Sequence, residues 1–81
     1  MTPVAHYVDK IVDEMQRASE KHPKFNSRHE GYAVIKEELD ELWDAIKRND
    51  YHANVENEAV QVGAMALRFL IDVCEKEENE T

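Results

Sequence analysis

The stretch HEGYAVIKEELDELWDAI, residues 29–46, decides the fold that we expect. Two stripes of side chains run along it at the three- and four-residue spacing of an α-helix. The main apolar stripe contains Tyr32, Ile35, Leu39, Leu42, Trp43 and Ile46. The second stripe has the spacing of a packing seam and contains Gly31, Val34, Glu38, Glu41 and Ala45. Because its glutamates are flanked by small and apolar residues, we expect them to point toward a neighbouring helix or a ligand.

Helix-start signals place this central helix and a first helix before it. Thr2 is a good N-cap and Pro3 suits the first helical position, so the first helix is expected over residues 3–19. The central helix is expected over residues 28–48, because Ser27 begins a capping box with the glutamate three positions later.

A third helix is expected over residues 54–76, with a tail, residues 77–81, that frays. This helix is apolar on nearly every side, which is typical of a helix buried by several neighbours. Three helices in one short chain cannot surround it, so we expect another subunit to cover part of it. The sequence therefore predicts a single all-α domain, residues 1–81, in which three helices assemble into an oligomeric helical bundle.

The charge balance excludes some partners. Eighteen Asp and Glu residues outnumber ten Lys and Arg residues, and the formal net charge is −8. A chain this acidic is poorly suited to nucleic-acid polymers, whose binding depends on neutralising phosphates. We expect no nucleic-acid polymer among its partners.

The sequence features that bear on cellular location favour the cytoplasm. A single cysteine cannot form an internal disulfide framework and fits a reducing environment. No apolar run approaches the roughly 20 residues of a membrane span, and the first residues lack the pattern of a signal peptide. We expect a cytoplasmic domain without a membrane partner.

Acidic residues on two neighbouring helices predict a metal site. Glu38 and Glu41 are three residues apart, as are Glu58 and Gln61, so each pair shares one helix face. If the two helices pack antiparallel, both pairs can meet at one point. Several oxygen ligands with excess negative charge favour a hard divalent cation, Mg²⁺ first and Mn²⁺ as a substitute.

Two other interpretations of these acids compete with a Mg²⁺ site. A solvated acidic face is the usual fate of helical glutamates, and Glu37 by itself fits that interpretation. A di-iron carboxylate bundle needs Glu-x-x-His pairs, and none of the four histidines follows a glutamate at that spacing.

The pattern Glu37-Glu38-x-x-Glu41, followed by Glu58-x-x-Gln61, resembles the signature of the MazG-like nucleotide pyrophosphohydrolases. The surrounding sequence is similar to small phage and bacterial members over roughly residues 25–75, in the segments HEGYAVIKEELDELWDAI and ENEAVQVGAMALRFLIDV. The resemblance implies an all-α, oligomeric, Mg²⁺-dependent enzyme. Such an enzyme hydrolyses nucleoside triphosphates or related nucleotides to the monophosphate and pyrophosphate.

When the family's residue roles are assigned by position, the resemblance implies that Glu38, Glu41 and Glu58 are metal ligands with catalytic roles. Glu37 would help to hold a second ion or orient the attacking water. Gln61 stands where the family pattern has Asp. Its amide oxygen can ligate Mg²⁺, but it brings no charge and cannot act as a base. Gln61 therefore completes the expected metal ligands and also raises the possibility of a weak or inactive site.

Basic residues are concentrated between the first two helices, at positions 17, 21, 24 and 28, and phosphate is a natural partner for them. The alternative is an exposed loop that balances acidic neighbours. The candidate substrate-binding residues are Lys21, Lys24, Phe25, Asn26, Arg28, His29 and Arg68. Phe25 and Asn26 are candidates for contacts with a base. For Trp43 core packing is favoured over stacking, and Arg68 has a structural alternative in an ion pair with Asp72.

The sequence thus predicts a nucleotide pyrophosphohydrolase that works as a dimer or tetramer. The first rival is a catalytically weak or inactive assembly or nucleotide-sensing module that retains the metal pocket. The second is a plain oligomeric bundle that binds a protein partner through its third helix.

Overall fold

A computed structural model describes residues 2–75 as three long helices and a short π-helical extension. The elements are α1, Pro3–Lys21; α2, Arg28–Lys47; α3, His52–Phe69; and the π-helix, Leu70–Cys74. Within these described residues there is no strand, which confirms the predicted all-α class. The predicted frayed tail, residues 77–81, lies outside the described residues.

Several helix boundaries differ from prediction. α2 ends at Lys47, one residue early, and α3 gives way to the π-helix after Phe69, where an α-helix was expected to continue to residue 76. The end of α1 and the start of α3 each differ by two residues.

α1 continues to Lys21 because the chain turns only at His22, whose extended backbone (φ −129°, ψ 145°) is the conformation that a following proline favours. α3 begins at His52 instead of Asn54. Its helical hydrogen bonding starts directly after the turn, where the backbone N–H of Asn54 donates to the carbonyl of Tyr51.

The predicted N-caps are present. The Thr2 hydroxyl accepts a hydrogen bond from the backbone N–H of Ala5, at 3.1 Å, and Pro3 occupies the first turn of α1. The Ser27 hydroxyl accepts from the backbone N–H of Glu30, also at 3.1 Å. The Glu30 carboxylate in turn accepts from the backbone N–H of Asn26 at 3.4 Å, so the side chains at both ends of the expected box hold this helix start.

A tight turn joins α2 to α3 and sets their antiparallel packing. Asn49 adopts a left-handed conformation (φ 56°), which asparagine tolerates better than most residues. Its N–H donates to Ile46, and the N–H of Asp50 donates to Ala45, the hydrogen-bond pattern of a Schellman helix end. The Asp50 carboxylate also accepts from Arg48, which fastens the turn.

α3 packs against both other helices. Near its start, Glu56 accepts a hydrogen bond from the Lys10 ammonium of α1 at 2.6 Å. Near its end, Asp72 accepts from the backbone N–H of Phe25, just beyond α1. α1 and α3 therefore run in the same direction, and α2 runs opposite to α3.

The seam of α2 faces α3, as predicted. Gly31 and Ala45 are buried and Val34 is half-buried. The buried apolar centre, small for three helices, contains Ala18, Phe25, Ala64, Met65 and Val73. The glutamates carried on the seam are thereby brought to the α2–α3 interface.

Ile35 packs against the core, but most of the main apolar stripe of α2 does not. Tyr32, Leu39, Trp43 and Ile46 are all exposed, and Trp43 retains 55% of its accessible surface. The prediction that Trp43 packs in the core is therefore wrong for the single chain. The reason is geometric: α3 covers the seam, and the stripe lies beside the seam, where no helix within residues 2–75 covers these four side chains.

None of the helices within residues 2–75 combines the length and apolar character needed to cross a lipid bilayer.

The close approach of α2 and α3 leads to a stability prediction at Gly31. A Cβ at this position would lie 2.7 Å from Cε2 of Phe69 and nearer still to Cδ2. We expect Gly31→Ala to lower the free energy of unfolding by about 1–3 kcal/mol through overpacking, despite the better helix propensity of alanine. Urea denaturation monitored by circular dichroism measures the change.

Gly63→Ala is the matched control, because its added Cβ would meet only the flexible Ile11 side chain, with Cδ1 nearest at 3.0 Å. We expect this variant to lose clearly less stability. A Gly31→Ala protein at least as stable as the wild type would show that the helices are not packed this closely.

Candidate metal centre

Three carboxylates from two helices meet at one point. Glu38 and Glu41 come from the middle of α2, and Glu58 comes from the second turn of α3. One oxygen from each side chain can be chosen so that all three lie within 4.8 Å of one another. The three-residue spacing on α2 and the antiparallel turn produce this convergence, as the sequence predicted. We call these three residues the carboxylate cluster.

The electrostatics of the cluster are unfavourable without a counter-charge. Partial burial is the largest cause that raises the pKa of Glu38, and together with the adjacent carboxylates of Glu41 and Glu58 it brings this pKa to about 7. The pKa of Glu58 is also raised, first by burial and then by Glu41, while Arg48 opposes this shift. Oε2 of Glu58 is buried and has no hydrogen-bond partner among the described residues.

This donor set fits a hard divalent cation. All of its atoms are carboxylate oxygens, which Mg²⁺ and Mn²⁺ prefer, and a buried oxygen without a partner is costly unless something ligates it. Glu41 is exposed, so the cluster opens to solvent on one side and a cation can enter. Exposed acidic groups are common without an ion, but here two of the three side chains are half-buried.

Glu37 and Gln61 were predicted to join the cluster, and they occupy different settings. Glu37 is exposed on α2, and its charge is the weakest of the influences that raise the pKa of Glu38. Gln61 is half-buried one turn after Glu58 and lines the same groove as Glu38. Its role as a ligand stays a prediction.

A groove of about 500 Å³ begins at the cluster and runs between the three helices. Glu38 and Gln61 line one part of it, and residues at the end of α1 line another. The complete lining is Glu14, Arg17, Ala18, Lys21, His22, Pro23, Phe25, Glu30, Val34, Glu38, Gln61, Met65 and Arg68. The groove therefore places carboxylates and basic groups in one continuous space.

The structure separates the predicted substrate-binding residues. Lys21 lines the groove, whereas Lys24 lines a separate depression beside Asp72. The Asn26 amide donates to Glu30 at 3.2 Å, so it contributes to the start of α2. Arg28 and His29 are exposed in the first turn of α2.

Phe25 and Arg68 line the groove but are primarily structural. Phe25 is 7% exposed within the core, and the Arg68 guanidinium lies 4.4 Å from the centre of its ring. Arg68, only 3% exposed, donates to the Pro23 carbonyl at 2.8 Å and lies 3.7 Å from Asp72. These contacts fasten the loop to α3, and the predicted Arg68–Asp72 pair is present. Little of the Phe25 ring is left for a base to stack on.

Arg17 lines the groove although it was not among the candidate substrate-binding residues. The sequence did contain a signal for it. Arg17 and Lys21 are four residues apart, on the same side of α1 as the buried Ala18. Of the four basic residues at positions 17, 21, 24 and 28, the two that line the groove are therefore those with helical spacing on α1.

Comparisons of the chain with protein-family models, with curated proteins and with solved structures found no match. The resemblance in the two acidic motifs therefore rests on the sequence alone.

The raised pKa of Glu38 predicts how stability depends on pH without metal. Between about pH 4.5 and 7 the folded chain holds a proton that the unfolded chain releases. The free energy of unfolding should therefore fall as the pH rises through this window and level off above it. We expect Glu38→Gln to flatten this decline and to raise the melting temperature at pH 8 in EDTA.

Asp40→Asn is the matched control, because Asp40 is exposed on α2 and paired with Lys36. It should leave the pH profile unchanged. Thermal melts from pH 4.5 to 8 provide the measurement, and a Glu38→Gln protein that melts below the wild type at pH 8 would contradict the repulsion described here.

Proposed function

We propose that this protein is a Mg²⁺-dependent nucleotide pyrophosphohydrolase of the MazG-like type. The observation that carries the proposal is the convergence of Glu38, Glu41 and Glu58 within 4.8 Å at the head of a groove with basic groups farther along. The substrate class is a nucleoside triphosphate or a related nucleotide, and the products are the monophosphate and pyrophosphate.

The chemistry of this reaction matches the donor set. Cleavage between the α- and β-phosphates requires neutralisation of a highly anionic substrate and activation of a water molecule, and bound Mg²⁺ supplies both effects. Glu38, Glu41 and Glu58 would hold the ion. Glu37, exposed on the same helix as Glu38 and Glu41, would accept a proton from water or hold a second ion.

Gln61 distinguishes this site from the family pattern. An amide in place of a carboxylate leaves the cluster with three negative charges instead of four. We expect weaker Mg²⁺ binding than an acidic residue would give, with turnover retained because three carboxylates remain. The rival function, a metal-binding assembly or nucleotide sensor without turnover, is the other outcome of the assay below.

We also propose that the chain works as a homo-oligomer, a dimer or a tetramer, in which a second copy covers the apolar stripe of α2. Leu39, Leu42, Trp43 and Ile46 line a surface depression of about 310 Å³ on this stripe. Ion pairs of Lys36 with Asp40 and of Lys47 with Asp44 lie on the same helix. An apolar centre with balanced charges around it suits a second copy of the same surface.

The hydrolase proposal predicts loss of activity when the cluster is broken. With Mg²⁺ and a panel of nucleoside and deoxynucleoside triphosphates, the wild type should release pyrophosphate and monophosphate in equal amounts. Glu58→Gln should lower the rate by about a hundredfold or more, because a metal ligand is lost. Asp9→Asn, at an exposed position of α1 outside the groove, should leave the rate unchanged.

Circular dichroism should show that Glu58→Gln folds, since the substitution removes a charge without changing shape. If no nucleotide yields pyrophosphate while Mg²⁺ still raises the melting temperature, the protein is a metal-binding module and the hydrolase proposal is wrong.

The assembly proposal predicts that Leu39→Lys dissociates the oligomer. Light scattering coupled to size-exclusion chromatography should report a dimer or tetramer for the wild type at micromolar concentration and a smaller species for the variant. Tyr51→Lys, at a residue 84% exposed in the α2–α3 turn, should assemble normally. A monomeric wild type would contradict the proposal.

A further inference from the structure

The groove beside the carboxylate cluster has an uneven distribution of charge. At one end lie Glu38, a member of the cluster, and Gln61. The other end is lined by Arg17 and Lys21, near the end of α1, and by His22, which follows α1. The side chains of Arg17 and Lys21 lie near each other because they are four residues apart on one helix face. The protein as a whole carries a charge of −8, whereas the groove lining balances three cations against three acids and is therefore less negative than the chain as a whole. The cations are Arg17, Lys21 and Arg68, and the acids are Glu14, Glu30 and Glu38.

A buried arginine adds fixed positive charge to the same groove. Arg68 lines the groove with only 3% of its surface exposed, and its Nε has no hydrogen-bond partner among the described residues. The Asp72 carboxylate, 3.7 Å away, also accepts a hydrogen bond from the backbone N–H of Phe25. Asp72 therefore offsets part of the Arg68 charge, and Nε of Arg68 remains a donor without a partner among the described residues.

Two side chains of α1 can reach an anion bound in the groove. Arg17 and Lys21 are both exposed. Arg17 pairs with Glu14, a same-helix ion pair of a kind that contributes little to stability and can be exchanged for a phosphate. Guanidinium and ammonium groups on one face suit a chain of linked phosphates, since each phosphate carries its own charge.

We propose that Arg17 and Lys21 form the subsite for the polyphosphate part of the nucleotide, with Lys24 outside it. This inference rests on the proposed function and assigns the substrate's anionic part to one face of α1. Lys24, the other lysine of the basic stretch, lines the depression that also contains Met15, Ile71 and Asp72. The polyphosphate therefore extends along the groove from the carboxylate cluster toward the C-terminal end of α1.

Binding of inorganic tripolyphosphate in the presence of Mg²⁺ tests the proposal without any turnover. Isothermal titration calorimetry should show binding to the wild type, and Arg17→Ala and Lys21→Ala should each weaken it about tenfold, the effect of losing one charged hydrogen-bond donor. Lys36→Ala removes an equal charge from the exposed face of α2 and should leave the affinity unchanged. Lys24→Ala should also leave it unchanged.

A reciprocal variant sharpens the test. Glu14→Gln removes the carboxylate that competes for Arg17 and should tighten tripolyphosphate binding, whereas Asp40→Asn, which changes the net charge equally, should not. The proposal is overturned if the wild type does not bind tripolyphosphate, or if Lys24→Ala weakens binding as much as Lys21→Ala does. It is also overturned if Lys36→Ala has that same effect, since net charge alone would then explain the binding.

The outcome is separable from that of the hydrolysis assay. If the wild type binds tripolyphosphate through Arg17 and Lys21 but cleaves no nucleotide, the subsite is correct and the hydrolase proposal fails. If nucleotides are cleaved and neither variant changes tripolyphosphate binding or the KM for the nucleotide, the hydrolase proposal stands and the subsite is wrong.

Discussion

Repulsion among the three carboxylates at the α2–α3 interface is the constraint on which the rest of the structure depends. Glu38, Glu41 and Glu58 are held together by helix packing, and burial together with like charge raises the pKa of Glu38 to about 7. Such an arrangement costs stability unless a cation is bound or protons are taken up. Folding must therefore supply enough favourable contacts elsewhere to keep the two helices together.

Those contacts come from small side chains and a well-formed turn. Gly31, Ala45 and Ala64 are buried between α2 and α3, which lets the helix backbones approach closely. The Schellman turn at Asn49 fixes the register in which the two helices meet. Position along each helix, and not only residue type, thereby decides which acids meet.

Much of this arrangement could be predicted from sequence because it is local or periodic. The caps at Thr2 and Ser27, the seam of α2 and the meeting of Glu38 with Glu58 follow from spacing along helices joined by a short turn. The orientation of Trp43 could not be predicted, since an apolar stripe has the same pattern whether it faces the chain's own core or a second subunit. The burial of Phe25 also depends on where the loop after α1 crosses the end of α3. That crossing is a tertiary feature with no periodic signal.

The most direct test of the metal centre is anomalous diffraction from crystals grown with Mn²⁺, because it locates the ion relative to each side chain. The account predicts an anomalous peak bonded to carboxylate oxygens of Glu38, Glu41 and Glu58, and loss of that peak in crystals of Glu58→Gln. A well-ordered wild-type structure with Mn²⁺ bound only elsewhere, or with no ion at the three carboxylates, would contradict the central claim.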